Sequence, residues 1–240
     1  MKNNSNKIIL DLCGGTGSWS RPYKEAGYDV RVITLPDWKV ENCKLLNYPK
    51  TICFWSDTKG MEMQILMKDI YGILAAPPCT MFSDARTKAK TPRDLRGGMQ
   101  VVEQSLWIIR EIQYGTKRDQ QKTPPLKFWA LENPWYGRLK WFLGKPAFEF
   151  SPWEFGDAYK KRTAIWGYFN EPIKTVTDID SVMTTEQQKL HKTNSQKLPK
   201  LDYMKSKDIH LEYYKKFDRQ TRRSITPRGF ADAFFKANNG

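Results

Sequence analysis

The chain has few of the residues that build metal sites and disulfides. Only 4 cysteines and 2 histidines occur among its 240 residues, and no two cysteines form a C-x-x-C pair. Zinc sites draw their ligands from closely spaced Cys and His side chains, so we expect no metal site. With so few cysteines we expect reduced thiols and a cytoplasmic protein.

Long apolar segments are also missing. No apolar run approaches the roughly 20 residues that a membrane-spanning helix needs. The segment Met1–Lys7 lacks the apolar centre of a secretory signal, so we expect neither export nor a membrane partner. No internal repeat is visible. At this length we predict one core with an insertion, acting as a monomer.

Acidic residues are scarce relative to basic ones. The chain carries 26 Asp and Glu against 40 Lys and Arg, a formal net charge of +14, and its isoelectric point is about 9.5. Such an excess favours a polyanionic partner, although a basic surface also serves solubility. The aromatic content of 13%, including 9 Trp, adds rings that can stack on bases. Nucleic acid is therefore the predicted partner.

Apolar runs alternate with helical stretches along most of the chain. The predicted strands are Ile8–Leu12, Asp29–Leu35, Thr51–Trp55, Ile70–Ala76 and Leu126–Leu131. Helical spacing of apolar residues predicts a helix over Met99–Tyr114, and a short helix closes the chain. This alternation predicts an α/β fold with a parallel, doubly wound sheet. Polar stretches follow three of the strands, so one crevice at the carboxyl edge of the sheet could hold all three.

A glycine-rich turn follows the first strand. It contains Gly14, Gly15 and Gly17 but lacks the Gly-Lys-Ser/Thr of a phosphate-binding loop and the third glycine of a dinucleotide fingerprint. Asp11 at the strand end suits an ammonium or hydroxyl group, and Asp37 after the next strand could hold a ribose. S-adenosylmethionine meets both demands and is the predicted cofactor.

A cysteine follows the strand predicted at Ile70–Ala76. The stretch Pro77–Ser83 begins with two prolines, and Cys79 comes directly after them. A thiol just beyond the carboxyl end of a strand is placed for nucleophilic chemistry. The alternative is a packed small hydrophobe, because free cysteine is among the most buried residue types.

Three stretches occur in the order and strand-end placement found in the DNA cytosine-C5 methyltransferases: Asp11–Ser20, Pro77–Ser83 and Glu132–Pro134. The chain resembles that family there, and a compact phage-like member in particular. The resemblance implies a Rossmann-like class I S-adenosylmethionine-dependent methyltransferase fold over residues 1–167. It further implies a small basic target-recognition insert over residues 168–222 and a C-terminal segment, residues 223–240, that packs back on the catalytic domain. DNA methylation of a restriction-modification type, in a bacterial cell or phage-infected host, is the implied setting.

The resemblance also implies a role for each matching residue. Cys79 would add to C6 of a flipped cytosine, because C5 is otherwise too weak a nucleophile to take a methyl group. Glu132 would hydrogen-bond N3 and the exocyclic amine, and Arg162 would hold the target nucleotide. The predicted cofactor-binding residues are Asp11, Leu12, Cys13, Gly14, Gly15, Thr16, Gly17, Ser18, Trp19, Asp37, Pro77 and Ser224.

The chain departs from the family pattern in several places. Lys160–Thr163 matches the family's Gln-x-Arg-x-Arg pattern only approximately, and Ser224 stands roughly where an asparagine is usual. The acid that would bind adenine is either Glu41 or Asp57. The short insert over residues 168–222 predicts short or loose sequence specificity. Two alternatives stay open: an RNA cytosine-C5 methyltransferase, and a DNA-binding module with the same fold and no turnover.

Overall fold

The protein is built around a six-stranded sheet and a smaller three-stranded one. The computed structural model describes residues 4–47, 49–86, 89–114, 126–185, 188, 189, 217 and 219–240. The strands are β1 (Ile8–Leu12), β2 (Asp29–Ile33), β3 (Cys43–Leu46), β4 (Thr51–Ser56), β5 (Met61–Leu66), β6 (Ile70–Ala75), β7 (Phe128–Pro134), β8 (Phe148–Phe150) and β9 (Thr163–Tyr168). The helices are α1 (Arg21–Glu25), α2 (Leu95–Tyr114), α3 (Lys140–Leu143), α4 (Arg219–Ser224) and α5 (Arg228–Asn238).

The large sheet is mostly parallel, in the order β2-β1-β6-β7-β9-β8. Strands β2, β1, β6 and β7 run parallel, and β9 is antiparallel to both of its neighbours. The predicted α/β class is thereby confirmed, and the sheet is compatible with a Rossmann-like fold. The chain places β2 on one side of β1 and β6 on the other. A crevice is expected at the carboxyl ends of β1 and β6, because the strand order reverses there.

Side chains of the large sheet alternate between two hydrophobic clusters. Leu10 and Leu12 belong to one cluster, whereas Ile9 between them belongs to the other. Successive side chains of a strand point to opposite faces, so the two clusters lie on opposite faces of the sheet. Helix α2 contributes Val102 to the first cluster, and α5 contributes Phe234 to the second.

The C-terminal helix α5 packs on the sheet through aromatic rings. Phe230 stacks on Phe150 with ring centroids 3.8 Å apart, and Phe234 meets Trp19 edge-on at 5.5 Å. Both phenylalanines are fully buried, and burial of each contributes up to about 3 kcal/mol to stability. This docking brings the segment just before α5 to the turn after β1, where Thr226 N–H donates to Ser18 Oγ at 2.9 Å.

The second sheet consists of three antiparallel strands in the order β3-β4-β5. Its buried residues Ile52, Phe54 and Ile65 belong to the same cluster as the residues of α2. The sequence predicts β4 but neither of its partners. In β5 most side chains are exposed or partly exposed, so the strand lacks the apolar run that marks a buried strand.

Strand β7 extends beyond its predicted end at Leu131. Its parallel pairing with β6 stops at Leu131, and its antiparallel pairing with β9 continues through Glu132, Asn133 and Pro134. A proline at a strand end is compatible with this pairing because it lacks only the N–H donor. Glu132 therefore lies inside β7, one residue beyond the part of β7 that pairs with β6.

Part of the predicted insert can be placed. Backbone N–H groups of Thr175 and Val176 donate to the carbonyl of Glu154, so the first part of the insert lies against the segment that follows β8. Most of the remainder, residues 186, 187, 190–216 and 218, lies outside the described residues. Within the described part of the chain, the helices are too short or too polar to cross a membrane.

Candidate active site

Cys79 lies on an anchored loop beyond the carboxyl end of β6. Its carbonyl accepts hydrogen bonds from the backbone N–H groups of Phe82 at 2.9 Å and Ser83 at 2.8 Å. Arg93 donates to the carbonyls of Met81 and Ser83 at 2.8 and 2.9 Å. Cys79 itself is partly exposed and belongs to neither hydrophobic cluster. The alternative of a packed core cysteine is therefore contradicted.

Burial and three charged side chains shift the pKa of the Cys79 thiol. Burial raises the pKa of Cys79 most, and the carboxylate of Glu132 raises it further. The positive charges of Lys161 and Arg223 lower it. These charges act on one thiol, so β7, the segment before β9 and helix α4 each bring a charged side chain within electrostatic range of the loop after β6. Only the sequence order of Cys79 and Glu132 suggested this proximity beforehand.

A buried amide joins the loop of Cys79 to the strand of Glu132. The side-chain Nδ2 of Asn133 donates to the carbonyl of Pro77 at 3.0 Å, and Asn133 is fully buried. Because Glu132 and Asn133 are consecutive in a strand, the side chain of Glu132 points to the opposite face. The bond from Asn133 therefore ties the backbone of the thiol loop to the strand that carries Glu132.

Lys161 is the cation that pairs with Glu132. Its Nζ lies 3.7 Å from Glu132 Oε1, and both side chains are largely buried. The sequence prediction assigned a catalytic role to Arg162 instead. Arg162 Nη2 lies 2.7 Å from Glu149 Oε1, and its guanidinium stacks 4.4 Å from the Trp135 ring centroid.

The role predicted for Arg162, contact with the target nucleotide, stays a prediction, and its side chain pairs with Glu149 rather than with Glu132. Its backbone carbonyl accepts from Trp135 N–H at 3.0 Å, which fixes the extended chain before β9, and the side chains of Lys161 and Arg162 then diverge. The hydrogen bond to Glu149 raises the pKa of Arg162. Lys161 was visible beside Arg162 in the sequence, but no local signal indicated which of the two would face Glu132. Arg223 was missed because it lies far along the chain in α4.

The turn after β1 closes tightly over a buried carboxyl group. Asp11 is fully buried, and Ser20 Oγ donates to its Oδ2 at 2.5 Å. Its Oδ1 has no hydrogen-bond partner among the described residues. A Cβ on Gly14 would lie 2.3 Å from the Asp11 carboxyl carbon, so only glycine permits this approach. Burial raises the pKa of Asp11 to about 7.

The raised pKa of Asp11 predicts a pH-dependent contribution to stability. Between pH 3.8, the ordinary pKa of an aspartate, and about pH 7, the folded state holds a proton that the unfolded state has released. Folding stability from this group is complete below the lower value and is lost as pH rises through about 7. Over this pH range the free energy of unfolding of the unaltered protein should fall by an amount on the order of 4 kcal/mol. Urea unfolding of Asp11→Asn should show no such fall. An unchanged pH slope in Asp11→Asn would contradict a carboxyl that is protonated in the fold.

The other residues predicted to bind cofactor divide into two groups. The side chains of Leu12 and Trp19 are buried in the two clusters, so the contact predicted for these residues would have to be made by their backbone. Cys13 and Gly15 adopt positive φ angles of 57° and 55°; Cys13 packs partly buried against the first cluster, and Gly15 is the exposed part of the turn. Ser224 Oγ would lie 4.0 Å from a Cβ on Gly15, so the C-terminal segment reaches this turn.

The remaining members of the turn hold it in shape. Gly17 N–H donates to the carbonyl of Gly14 at 2.9 Å. The hydroxyl of Thr16 is buried with no partner among the described residues, and Ser18 is bound to the segment before α5. The turn is therefore ordered by its own contacts and keeps unpartnered polar atoms.

Asp37 is bound to the tip of the β4–β5 hairpin. Lys59 Nζ lies 2.8 Å from Asp37 Oδ2, and Thr58 Oγ1 donates to Oδ1 at 3.1 Å. The hydrogen bond from Lys59 lowers the pKa of Asp37. A ribose hydroxyl at Asp37 would therefore share this carboxylate with the hairpin.

The two acids considered for adenine binding lie in different surroundings. Asp57 is at the hairpin tip, with its Oδ2 3.9 Å from Lys39 Nζ. Burial is the main cause that raises the pKa of Cys13 to about 12, and the charge of Glu41 is the second cause. Glu41 is therefore close to the turn after β1, and it is the better placed of the two.

The structure brings together, at one edge of the sheet, a thiol, a carboxylate paired with a cation, and a glycine turn. Cys79 follows β6, the glycine turn follows β1, and these two strands are neighbours. Glu132 lies in β7, the next neighbour of β6. No protein-family model matches this chain, and the search of curated proteins finds no match.

Proposed function

We propose that the chain is a DNA cytosine-C5 methyltransferase that uses S-adenosylmethionine, with a class I methyltransferase fold and a small recognition insert. One observation carries the proposal: the thiol of Cys79 and the carboxylate of Glu132 interact electrostatically at the sheet edge, beside the turn that follows β1. The two motifs that supply these residues resemble those of that family. Nucleophile and carboxyl are the groups that methylation at C5 requires.

The residues present fit the proposed cofactor. The crevice where the strand order reverses is a common ligand site, and the turn there presents Cys13, Gly15 and Thr16. Unpartnered polar atoms of Asp11 and Thr16 leave hydrogen-bonding capacity next to this crevice. The exposed part of the turn, with Ser224 beside it, would hold S-adenosylmethionine, and Glu41, whose charge acts on Cys13 in this turn, would be the acid that binds adenine. When bound, the cofactor would supply an electrophilic methyl group on a sulfonium sulfur.

Cys79 would start the reaction as a thiolate. Its sulfur forms a bond to C6 of cytosine, and the electrons of the C5–C6 double bond shift to make C5 nucleophilic. C5 then takes the methyl group. Loss of the proton on C5 restores the double bond, and the Cys79 sulfur leaves with the electrons of its bond to C6. The base has to leave a helical stack for the sulfur to reach C6.

Glu132 and Lys161 would manage charge during this sequence. Addition of the sulfur places negative charge on the ring; a proton donated by the Glu132 carboxyl to N3 would neutralise this charge, while the other oxygen of Glu132 accepts a hydrogen bond from the exocyclic amine. Lys161, paired with Glu132 at 3.7 Å, neutralises the carboxylate that would otherwise disfavour the Cys79 thiolate. Arg223 adds a second positive charge near the sulfur.

The proposal predicts transfer of labelled methyl groups to cytosine. The protein is incubated with methyl-labelled S-adenosylmethionine and, separately, duplex DNA, single-stranded DNA and RNA, and the nucleosides are identified by mass spectrometry. We expect 5-methylcytosine in DNA, and no label in a matched DNA whose cytosines already carry a C5 methyl group. Label found in RNA alone would favour the RNA alternative.

A binding measurement separates an inactive assay from a wrong proposal. Equilibrium dialysis with S-adenosylmethionine and with DNA shows whether both are bound. Binding of both without label on any polymer would contradict the enzyme and favour the alternative of a binding module without turnover. In cells that express the chain, sequence-resolved mapping of modified cytosines would give the target site.

A further inference from the structure

We propose that the segment Trp135–Phe142 forms a stacking platform for single-stranded DNA beside the candidate active site. The proposal rests on the proposed function and names the state of DNA that this site accepts. A duplex hides its base faces by stacking them on one another, whereas an unpaired strand can lay its bases on protein rings. We call the exposed rings of Tyr136, Trp141 and Phe142 the aromatic platform.

The platform exposes an unusual amount of aromatic surface. Tyr136 is 62% exposed, Trp141 is 69% exposed and Phe142 is 48% exposed. Trp135, at the start of the segment, is partly buried and packs against the first hydrophobic cluster. Exposed rings gathered within one short segment mark an interaction surface, because single exposed apolar residues are ordinary but clusters are not.

Cations lie over these rings. The guanidinium carbon of Arg138 is 5.4 Å from the Trp141 ring centroid, and Lys140 Nζ is 5.1 Å from that of Trp135. Arg162 lies 5.9 Å from the Tyr136 ring centroid. Rings interleaved with positive charge suit a partner that offers both flat bases and phosphates. The net charge of +14 points the same way, whereas a purely apolar protein partner would gain nothing from these cations.

The platform is continuous with the loop that carries Cys79. Asp84 N–H donates to the Tyr136 carbonyl at 3.1 Å, and Arg138 N–H donates to the Phe82 carbonyl at 3.0 Å. The rings of Phe82 and Phe142 are 6.2 Å apart. A strand held on the platform would therefore pass next to the thiol that attacks C6.

A groove extends the platform on its far side. It has a volume of about 450 Å³ and is bounded by Phe142 and the first turns of α2, where Leu95, Met99 and Arg96 line it. Gly98 permits this arrangement, because a Cβ there would lie 2.9 Å from Met81 Cβ in the Cys79 loop. The groove lengthens the surface on which neighbouring nucleotides can lie.

Fluorescence anisotropy with labelled thymine oligonucleotides tests the platform. Oligothymidylate of about 20 nucleotides covers a typical single-strand site, and the control is its duplex with oligoadenylate. The probe lacks cytosine, and no cofactor is added, so the binding result does not depend on methyl transfer. We expect the single strand to bind at least about tenfold more tightly than the duplex, and Trp141→Ala to weaken single-strand binding about tenfold, as loss of one stacked base does.

Tyr168→Ala is the matched control. Tyr168 is 68% exposed and pairs with Trp129 near the opposite end of β7, so its loss should leave affinity within about twofold. Tyr136→Ala provides a second platform variant, with thermal melting as the check of folding for each. Equal or tighter binding of the duplex would overturn the proposal, as would unchanged affinity in both platform variants. Cytosine methylation of single-stranded DNA by Trp141→Ala at the unaltered rate would overturn the platform and leave the proposed function standing.

Discussion

Replacement of Cys79 with alanine is expected to abolish methyl transfer to cytosine. The Cys79 thiol is near enough to Glu132 for the carboxylate to raise its pKa, and in the proposed reaction its sulfur forms the bond to C6. Without it, C5 is not activated, and loss of a covalent nucleophile typically lowers turnover by at least about a thousandfold. The measurement is transfer of labelled methyl groups from S-adenosylmethionine to cytosine in DNA.

A covalent adduct identifies the nucleophile directly. DNA that carries 5-fluorocytosine cannot lose a proton from C5, so the bond between sulfur and C6 persists and the complex survives denaturing electrophoresis. The matched control is Cys43→Ala, because Cys43 is buried in the hydrophobic cluster shared with the second sheet and should leave the adduct intact. An adduct that forms in Cys79→Ala would refute Cys79 as the nucleophile, and retained binding of DNA and cofactor shows that the variant is folded.

Lys161→Met is expected to raise the pKa of Cys79 and to slow every reaction of its thiolate. Burial and Glu132 already raise this pKa, and Lys161 opposes them together with Arg223. Removal of one nearby opposite charge shifts a pKa by about one unit or more. Below the pKa of the thiol, the thiolate fraction and the rate of alkylation by iodoacetamide should therefore fall about tenfold. The pH profiles of alkylation and of methyl transfer should both move to higher pH.

Arg162→Met separates this effect from a general loss of positive charge. Arg162 pairs with Glu149 at 2.7 Å and is not among the groups that shift the pKa of Cys79. Its removal should leave the alkylation profile of Cys79 in place, although it exposes Trp135 and can weaken DNA binding. If Arg162→Met shifts the profile and Lys161→Met does not, Lys161 is refuted as the cation that acts on the Cys79 thiol.

Local sequence was sufficient to predict the strands that build the site. Ile8–Leu12 is a short apolar run that ends at a glycine turn, and the structure has β1 over the same residues. Ile70–Ala75 becomes β6 and stops before two prolines, as predicted. Short apolar runs are typical of strands that are buried on both faces of a parallel sheet. The order of these strands, and the carboxyl edge of the sheet at which they all end, can therefore be inferred from the sequence alone.

The sequence was less informative where strands depend on partners. Pairing with β9 carries β7 past Leu131 to Pro134, and β5 exists because β4 offers it a ladder of hydrogen bonds. The end of β7 and the edge strand β5 have no strong hydrophobic pattern in the sequence, because the contacts that stabilise them come from another segment.

By itself, the sequence determined the chemistry that this protein can offer: a thiol after β6, a carboxylate in β7 and a glycine turn after β1, within an α/β sheet. Only the tertiary structure decided which charges face that thiol, since Lys161 rather than Arg162 meets Glu132, and Arg223 arrives from α4. It also gathered the exposed rings beside the Cys79 loop. The reason is physical: residue type and local spacing set the propensity of each strand and turn, whereas the facing of side chains follows from pairing and packing between segments far apart in the chain.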